Sequence, residues 1–489
     1  MWNSAMTVLE SRKTPYLLLG VSLALILFFS LPTLTTAPRI WTDEGVITEV
    51  ARTYGTWGVL DLEVAPGVFG GKPHLYQATG FPVTVPLGFL FDIVGFSFSL
   101  ARLYMVGWLI IAVIASFYFI KYFFEAHFAG YAVLLLTTFA SFYGTGRNVI
   151  GEVPGFVFLL AGLFLLIGRK QYVLSGLFLC LAIACKPSVF LLILPAVLLF
   201  LLAYDRSKIL KKSLMLFLGA VPVALVWLSF VTPNPFQMSF WQELVAFYQQ
   251  PFAGSSVSAN VARNLSTVFQ STTLIYFGAW LICLIFVRMR TFNKKLKGLY
   301  DVTLLYSFLA FLYYLRSPGW LRYILIAELL LLIFLPHILF VVSCFLQKKI
   351  GAFRRIPVAY ALALALFSLA LIQTVQFYTA AEIYHDEKIF ETARILDERF
   401  AGKSVFVLNS PGLYVLLENP LRETYIDIQG PIPIGSIPLT DETPDTRLPD
   451  VLVTGTGGEF PKYKNFIMEH YTSSGEINSF SIYTRGIIE

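Results

Sequence analysis

The stretch "PYLLLGVSLALILFFS" (residues 15–30), followed after a short turn by "RIWTDEGVITEVARTYG" (residues 39–55), decides how this chain is read. The first piece is an unbroken apolar run of about the length that crosses 30 Å of hydrocarbon. The second opens with two adjacent acids, Asp43 and Glu44. It continues with Val46, Ile47, Val50, Tyr54 and Trp57 on one helical stripe. A span that runs into a carboxylate pair places charge at the edge of lipid, where ionisable groups are costly and mark function. The competing reading is local: Thr42 is a fair N-cap, and acids in a first turn suit the helix dipole. The stripe predicts a helix lying along the membrane surface.

The rest of the chain agrees with a membrane setting. It is 57% hydrophobic and 13% charged over 489 residues, whereas soluble domains run at about 45–50% apolar and about 25% charged. The first run follows Arg12 and Lys13 but lacks a small-x-small cleavage site, so it reads as a retained anchor. Cys180, Cys185, Cys283 and Cys344 all fall inside apolar runs, which argues against a disulfide framework or a zinc site.

Positive charge sets the expected topology. "GRKQ" (168–171), "DRSKILKK" (205–212), "RMRTFNKKLK" (288–297) and "QKKIGAFRR" (347–355) are the basic loops, and such loops stay cytoplasmic. They share one side only if "QATGFPVTVPLGFLFDIVGFS" (77–97) does not cross. Pro82, Pro86, Asp92 and its glycines make it a re-entrant or interfacial segment. The expectation is a polytopic α-helical protein of the plasma (inner) membrane. It has about eleven crossings, within a range of 11–13 transmembrane helices, a cytoplasmic N-terminus and an extracytoplasmic C-terminus. A membrane unit over 1–379 carries outer loops at 38–100 and 232–271. A small extracytoplasmic α/β domain follows over 380–489, with strand-like runs "KSVFVLNS", "ETYIDI", "DVLVTG" and "INSFSIYTR". "GTGGEF" (455–460) lacks phosphate-loop spacing and reads as a turn.

On that topology several charges gather on the outer face: Asp43, Glu44, Lys72, Arg147, Glu152, Lys186, Arg316 and Arg322. Lys72, held in an extended backbone by Pro73, suits a phosphate, against the alternative of a snorkelling interfacial lysine. Arg147 and Glu152, five residues apart, read equally as a simple ion pair. His74, Tyr76 and Tyr323 are candidate substrate contacts. "NPFQMSFWQELVAFYQQPF" (234–252) predicts a helix with Trp241, Leu244, Val245 and Tyr248 on one side, either a gate over the site or an interfacial anchor. "NLS" (264–266) matches a glycosylation sequon.

The order of these pieces resembles the glycosyltransferase C superfamily. They are "DE" after the first span, "KPHLY" (72–76), "ARL" (101–103), Arg147 and Glu152 around one turn, "ACKP" (184–187) and "RYIL" (322–325). More narrowly, it resembles the branch of protein O-mannosyltransferases and lipid A aminoarabinose transferases, over residues 40 to about 335. The resemblance implies transfer of a sugar from a polyprenyl-phosphate donor to a glycan, lipid or protein acceptor at the outer face. In that pattern Asp43, with Glu44 beside it, acts at the acceptor, and Glu152 is the second acid. Lys72 holds the donor phosphate, with Lys186, Arg322 and Arg147 as further phosphate partners. A divalent cation found in some relatives would want an acid before the lysine, where this chain has Gly71, so the metal is left open. Membrane lipid is the expected surrounding partner and nucleic acid is not expected. Two other readings compete: a lipid or glycolipid flippase, which would favour charges at the bilayer midplane and inverted repeats, and a non-catalytic glycan-assembly subunit.

Overall fold

The structure is a computed structural model, and it describes residues 13–76, 79–232, 234–249, 256–349, 358–426, 434–435, 448–455 and 461–486. Among these, eight helices are long and apolar enough to cross a membrane. They are Phe98–Phe123, Glu152–Arg169, Pro187–Tyr204, Ile209–Val231, Thr272–Arg290, Lys294–Arg316, Leu325–Lys349 and Tyr360–Ala380 within the helix Val358–Ile383. Ala126–Thr138 and Ala140–Gly146 form a further segment bent by 63°, and Thr14–Ser30 and Tyr172–Cys185 are shorter apolar helices. With the bent pair counted once, up to nine segments among the described residues are long and apolar enough to cross, and the shorter helices come on top of these. The chain is an integral membrane protein, mostly helical.

Of the segment 77–97, residues 79–97 are described, and their one helix, Phe81–Val94, lies against the helix Thr42–Trp57, with a Cβ at Gly55 only 2.5 Å from the Gly88 carbonyl oxygen. The helix Thr42–Trp57 differs from expectation. Its residues 44–51 are buried on all sides, because Phe81–Val94 covers one flank and the C-terminal region covers another. It therefore rests largely on protein, and of its apolar stripe Val46, Ile47, Val50, Tyr54 and Trp57 only Trp57 is exposed. Its N-cap is Trp41, without a side-chain cap bond, so Thr42 does not cap it.

The crossing helices run alternately up and down, as short connections require. The described residues of the breaks at 31–97, 147–151, 186, 232–271 and 317–324 then share one end of the bundle, where their side chains meet. The basic loops at 168–171, 205–212 and 288–297 share the other, where Arg288 pairs with Asp301 at 2.6 Å and Lys212 with Asp205. All four cysteines are free.

Eight strands are described, the first two within the helical part of the chain and the other six in the C-terminal region. The strands β1 (Glu63–Ala65) and β2 (Val68–Phe69) form a hairpin. After the helix Lys388–Arg399 come β3 (Val405–Leu408), β4 (Arg422–Ile426), β5 (Ile434–Gly435), β6 (Val451–Gly455), β7 (Thr472–Ile477) and β8 (Phe480–Thr484). The six-stranded order is β5-β4-β3-β6-β8-β7, with β3 parallel to both β4 and β6. Strand alternation explains the layering. Val405 and Val407 face Leu396 and Leu413 on one side, while Phe406 and Leu408 face Tyr463 and Phe466 on the other. Of "GTGGEF", residues 456–460 lie outside the described residues.

Candidate functional site

Four charged side chains from four separate breaks meet at one end of the bundle. Asp43 comes from the first turn of the helix Thr42–Trp57, Glu152 from the first turn of Glu152–Leu163, Lys186 from the residue before Pro187, and Arg322 from a 3₁₀ turn, Leu321–Tyr323. Arg322 Nη1 donates to Asp43 Oδ2 at 2.8 Å. Lys186 Nζ lies 3.8 Å from the same oxygen and 3.9 Å from Glu152 Oε1. The charges alternate along Arg322, Asp43, Lys186 and Glu152.

Close backbone approach builds half of this cluster. A Cβ at Gly151 would stand 1.8 Å from the Cys185 carbonyl oxygen, so only glycine lets the two chains touch there. Gly151 precedes Glu152, and Cys185 precedes Lys186, so the contact sets acid beside base. Thr79 accepts from the Gly151 N–H at 3.0 Å and adds a third strand of chain to the junction. Arg322 is held by aromatics as well as by Asp43: its guanidinium lies 4.7 Å from the Trp320 ring centroid and 5.5 Å from that of Trp41. Tyr323 stacks on Trp320 and meets Tyr313 edge-on at 5.0 Å.

Asp43 keeps 31% of its side-chain exposure, and Glu152 none. Burial pushes the Asp43 carboxyl up, but Arg322 and then Lys186 outweigh it and hold it below its ordinary value. The carboxylate is therefore charged at neutral pH. Burial also opposes the charge of Arg322, and Asp43 and Glu152 more than restore it. Neither oxygen of Glu152 has a hydrogen-bond partner, nor does Nε of Arg322, so this buried polar cluster is under-satisfied within the described residues.

A second cluster holds Lys72 and His74. The turn Pro73–Tyr76 presents both to Glu243 of the helix Met238–Gln249. Lys72 Nζ pairs with Glu243 Oε1, and His74 Nε2 bonds Oε2 at 2.8 Å. Burial lowers the His74 pKa against the opposing pull of Glu243, so the ring is neutral and Nε2 carries the proton it shares. The sequence reading missed Glu243. A signal was there, because it is the sole acid between Asp205 and Asp301. Tyr76 is buried beside this turn with its hydroxyl unpartnered.

Two sequence candidates go elsewhere. Glu44 is fully buried and pairs with Arg102, whose Nε and Nη2 donate to its two oxygens at 2.9 and 2.8 Å. Arg102 spends its remaining donors on the carbonyls of Leu34, Thr35 and Pro38. Arg147 does not pair with Glu152. Its Nη1 donates to the carbonyls of Phe29 and Ser30 and to the Thr33 hydroxyl, at the end of the first apolar helix. Arg316, at the end of its own helix, gives its carbonyl to Asn260. The sequon asparagine is also committed: Asn264 is buried and donates to the carbonyls of Tyr314, Leu315 and Ser317. As for a metal, His74 and Glu243 are two donors, and among the described residues no group of three or more His, Cys, Asp or Glu side chains is placed to hold one.

With this geometry in place, similarities to known proteins fit together. A family model described as dolichyl-phosphate-mannose-protein mannosyltransferase matches residues 86–234. No curated protein sequence matches the chain. Among solved structures, ArnT from Cupriavidus metallidurans bound to undecaprenyl phosphate aligns with a TM-score of 0.63 at 13% identity, covering 97% of this chain and 98% of its own. The same protein in its apo state aligns at 0.57 and 11% identity, covering 96% of this chain and 97% of its own. The oligosaccharyltransferase AglB from Archaeoglobus fulgidus, in complex with an inhibitory peptide and a dolichol-phosphate, aligns at 0.56 and 12% identity, over 96% of this chain and 74% of its own. The chain therefore shares the fold of ArnT and AglB along nearly its whole length, and its residues 86–234 are similar to the dolichyl-phosphate-mannose-protein mannosyltransferase family.

Proposed function

We propose that the chain is a membrane glycosyltransferase that moves a sugar from a polyprenyl-phosphate donor to an acceptor hydroxyl at the outer membrane face, with inversion. The observation that supports this best is the alternating cluster Arg322–Asp43–Lys186–Glu152, gathered from four breaks at one end of the bundle. The basic loops at the opposite end favour that end being cytoplasmic, which puts the cluster outside.

The assigned chemistry is a single displacement. Asp43 accepts the proton of the acceptor hydroxyl as its oxygen attacks the anomeric carbon. The bond from that carbon to the phosphate oxygen breaks, and its electron pair leaves with the polyprenyl phosphate. Lys72, Lys186 and Arg322 neutralise the phosphate as charge builds there, an effect strengthened where lipid and protein exclude water. Attack opposite the leaving group inverts the carbon, as in inverting glycoside hydrolysis. In the resting cluster Asp43 is a weak base, because two cations stabilise its charge. When the donor phosphate draws Lys186 and Arg322 away, that stabilisation falls and the carboxylate becomes a better proton acceptor. Glu152 keeps Lys186 in reach during the exchange. Tyr323 and Tyr76 are assigned to the walls of the substrate cavity.

The test combines native mass spectrometry with a transfer assay on the purified protein. Wild type should carry polyprenyl phosphate or its sugar ester, the latter naming the sugar by mass. Lys72→Ala should lose that lipid. Asp43→Asn should keep it while transfer drops by about a hundredfold or more, the usual scale for removing a general base. A wild-type protein that carries ordinary phospholipids alone and binds no added polyprenyl phosphate overturns the proposal.

A further inference from the structure

The helix Met238–Gln249 has no role in the reaction drawn above, yet its acid holds the lysine assigned to the donor phosphate. Glu243 splits its two oxygens between two donors, Lys72 Nζ and His74 Nε2. One anion gripped through two oxygens by a cation and a neutral N–H is also how a phosphate group is held.

The two sides of this contact are built differently. The donor side is fixed. Pro73 constrains the backbone after Lys72, and the Lys72 carbonyl accepts from Leu75 N–H to close the turn. The His74 ring is buried and meets Phe240 edge-on at 5.0 Å. The carboxylate side sits on an amphipathic helix whose Met238 and Val245 are exposed and whose Trp241 is partly so. Glu243 itself retains 29% of its side-chain exposure, and Lys72 31%. A partly exposed ion pair on a surface helix is the kind that exchanges readily.

We propose that Lys72 and His74 form a two-point cradle for a phosphate group and that Glu243 is its resident anion, displaced when the donor phosphate binds. The inference rests on the donor reading above and adds to it His74 as a phosphate contact and Glu243 as an internal competitor. Displacement frees the helix Met238–Gln249 from the turn Pro73–Tyr76, so loading of the donor is coupled to movement of the helix beside it. Charge balance gives the direction. With Glu243 in place the cradle is neutral, and without it the cradle carries one positive charge that an incoming phosphate can match.

The experiment measures undecaprenyl phosphate binding to the full-length protein, wild type against Glu243→Gln, with hydrogen exchange followed over residues 238–249. Glu243→Gln keeps the side chain's size and removes its charge. It should bind undecaprenyl phosphate about fivefold tighter, since the competing closed state no longer reduces the competent fraction. In wild type, added undecaprenyl phosphate should raise exchange over 238–249, and in Glu243→Gln exchange should be raised without lipid. The wild-type arm decides the matter even if the variant fails to fold. Equal or weaker binding by Glu243→Gln, or unchanged wild-type exchange while the lipid demonstrably binds, overturns the competitor role and leaves the donor reading intact. Wild type that binds no undecaprenyl phosphate removes the donor reading itself. Inorganic phosphate at the same concentration separates the ligand sources. Release of the helix by it supports the exchange and assigns the phosphate group alone as the displacing ligand, whereas release by the lipid only assigns the chain a share in binding.

Discussion

Asp43 and Glu44 are neighbours in sequence with opposite fates. Asp43 faces a partly open space and shares its charge with Arg322 and Lys186, while Glu44 is sealed against Arg102. Breaking a fully buried pair strands the surviving charge, which costs about 3–5 kcal/mol. Glu44→Gln should therefore lower unfolding stability by roughly that amount, and Asp43→Asn by less, because Asp43 is partly exposed and Glu152 remains beside Lys186; thermal unfolding of the two variants checks the contrast. A second residue-scale prediction concerns Asp61. Burial pushes its pKa up to about 6, against the opposing N–H donors of Leu62 and Gly71. A raised acid binds its proton more tightly in the folded state than in the unfolded state, where its pKa is about 3.8. Stability then falls as pH rises through that window and stays reduced above it, by about 3 kcal/mol at one pKa unit per 1.36 kcal/mol. Asp61→Asn removes the titration, so its stability relative to wild type should climb between about pH 4 and pH 6. A flat difference across that range counts against the shift.

At the scale of elements, the helix Thr42–Trp57 carries the argument. Its Asp43 end belongs to the candidate site, and its Glu49 reaches Arg422 of β4 at 2.6 Å, while Arg422 lies over the Tyr414 ring. Where the helix meets the C-terminal region the packing has no slack, because a Cβ at Gly45 would come within 2.6 Å of the Gly412 nitrogen and the Pro411 carbonyl. Arg422→Met should leave buried Glu49 with only Arg52, 3.9 Å away, as its counter-charge, raise hydrogen exchange over 42–57 and reduce transfer, and its measurement is exchange and activity on one preparation. This helix also marks the boundary of what periodicity reveals. Apolar length and strand alternation gave the spans and the strands β3, β4, β6 and β8, because those signals are local. The charge rule placed Asp43, Glu152, Lys186 and Arg322 on one side, and the structure brings all four together. The pairings made by Arg102, Glu243 and Arg422 were not legible, even where the residue stood out as Glu243 does, since each lies tens to hundreds of residues from the group it satisfies and no spacing encodes such a meeting. The same blindness applied to the all-round burial of the helix, to Asn264, whose sequon pattern says nothing of the carbonyls it serves, and to Arg147, which serves helix-end carbonyls and not Glu152.

Seen whole, the molecule joins its earliest described segments to its last. Arg39 N–H donates to the Tyr384 carbonyl, Asp386 N–H to the Thr36 carbonyl, and Tyr414 hydroxyl to the Glu63 carbonyl. The Glu49–Arg422 pair spans 373 positions of sequence. During synthesis the Asp43 helix emerges long before the sheet that grips it exists, and chains are made at about 5–20 residues per second. For tens of seconds a growing chain therefore holds its membrane helices without the clamp on its acidic helix. The helix that presents Asp43 gains its outer support only once β4 has joined the sheet, so the candidate site is completed late in the making of the chain.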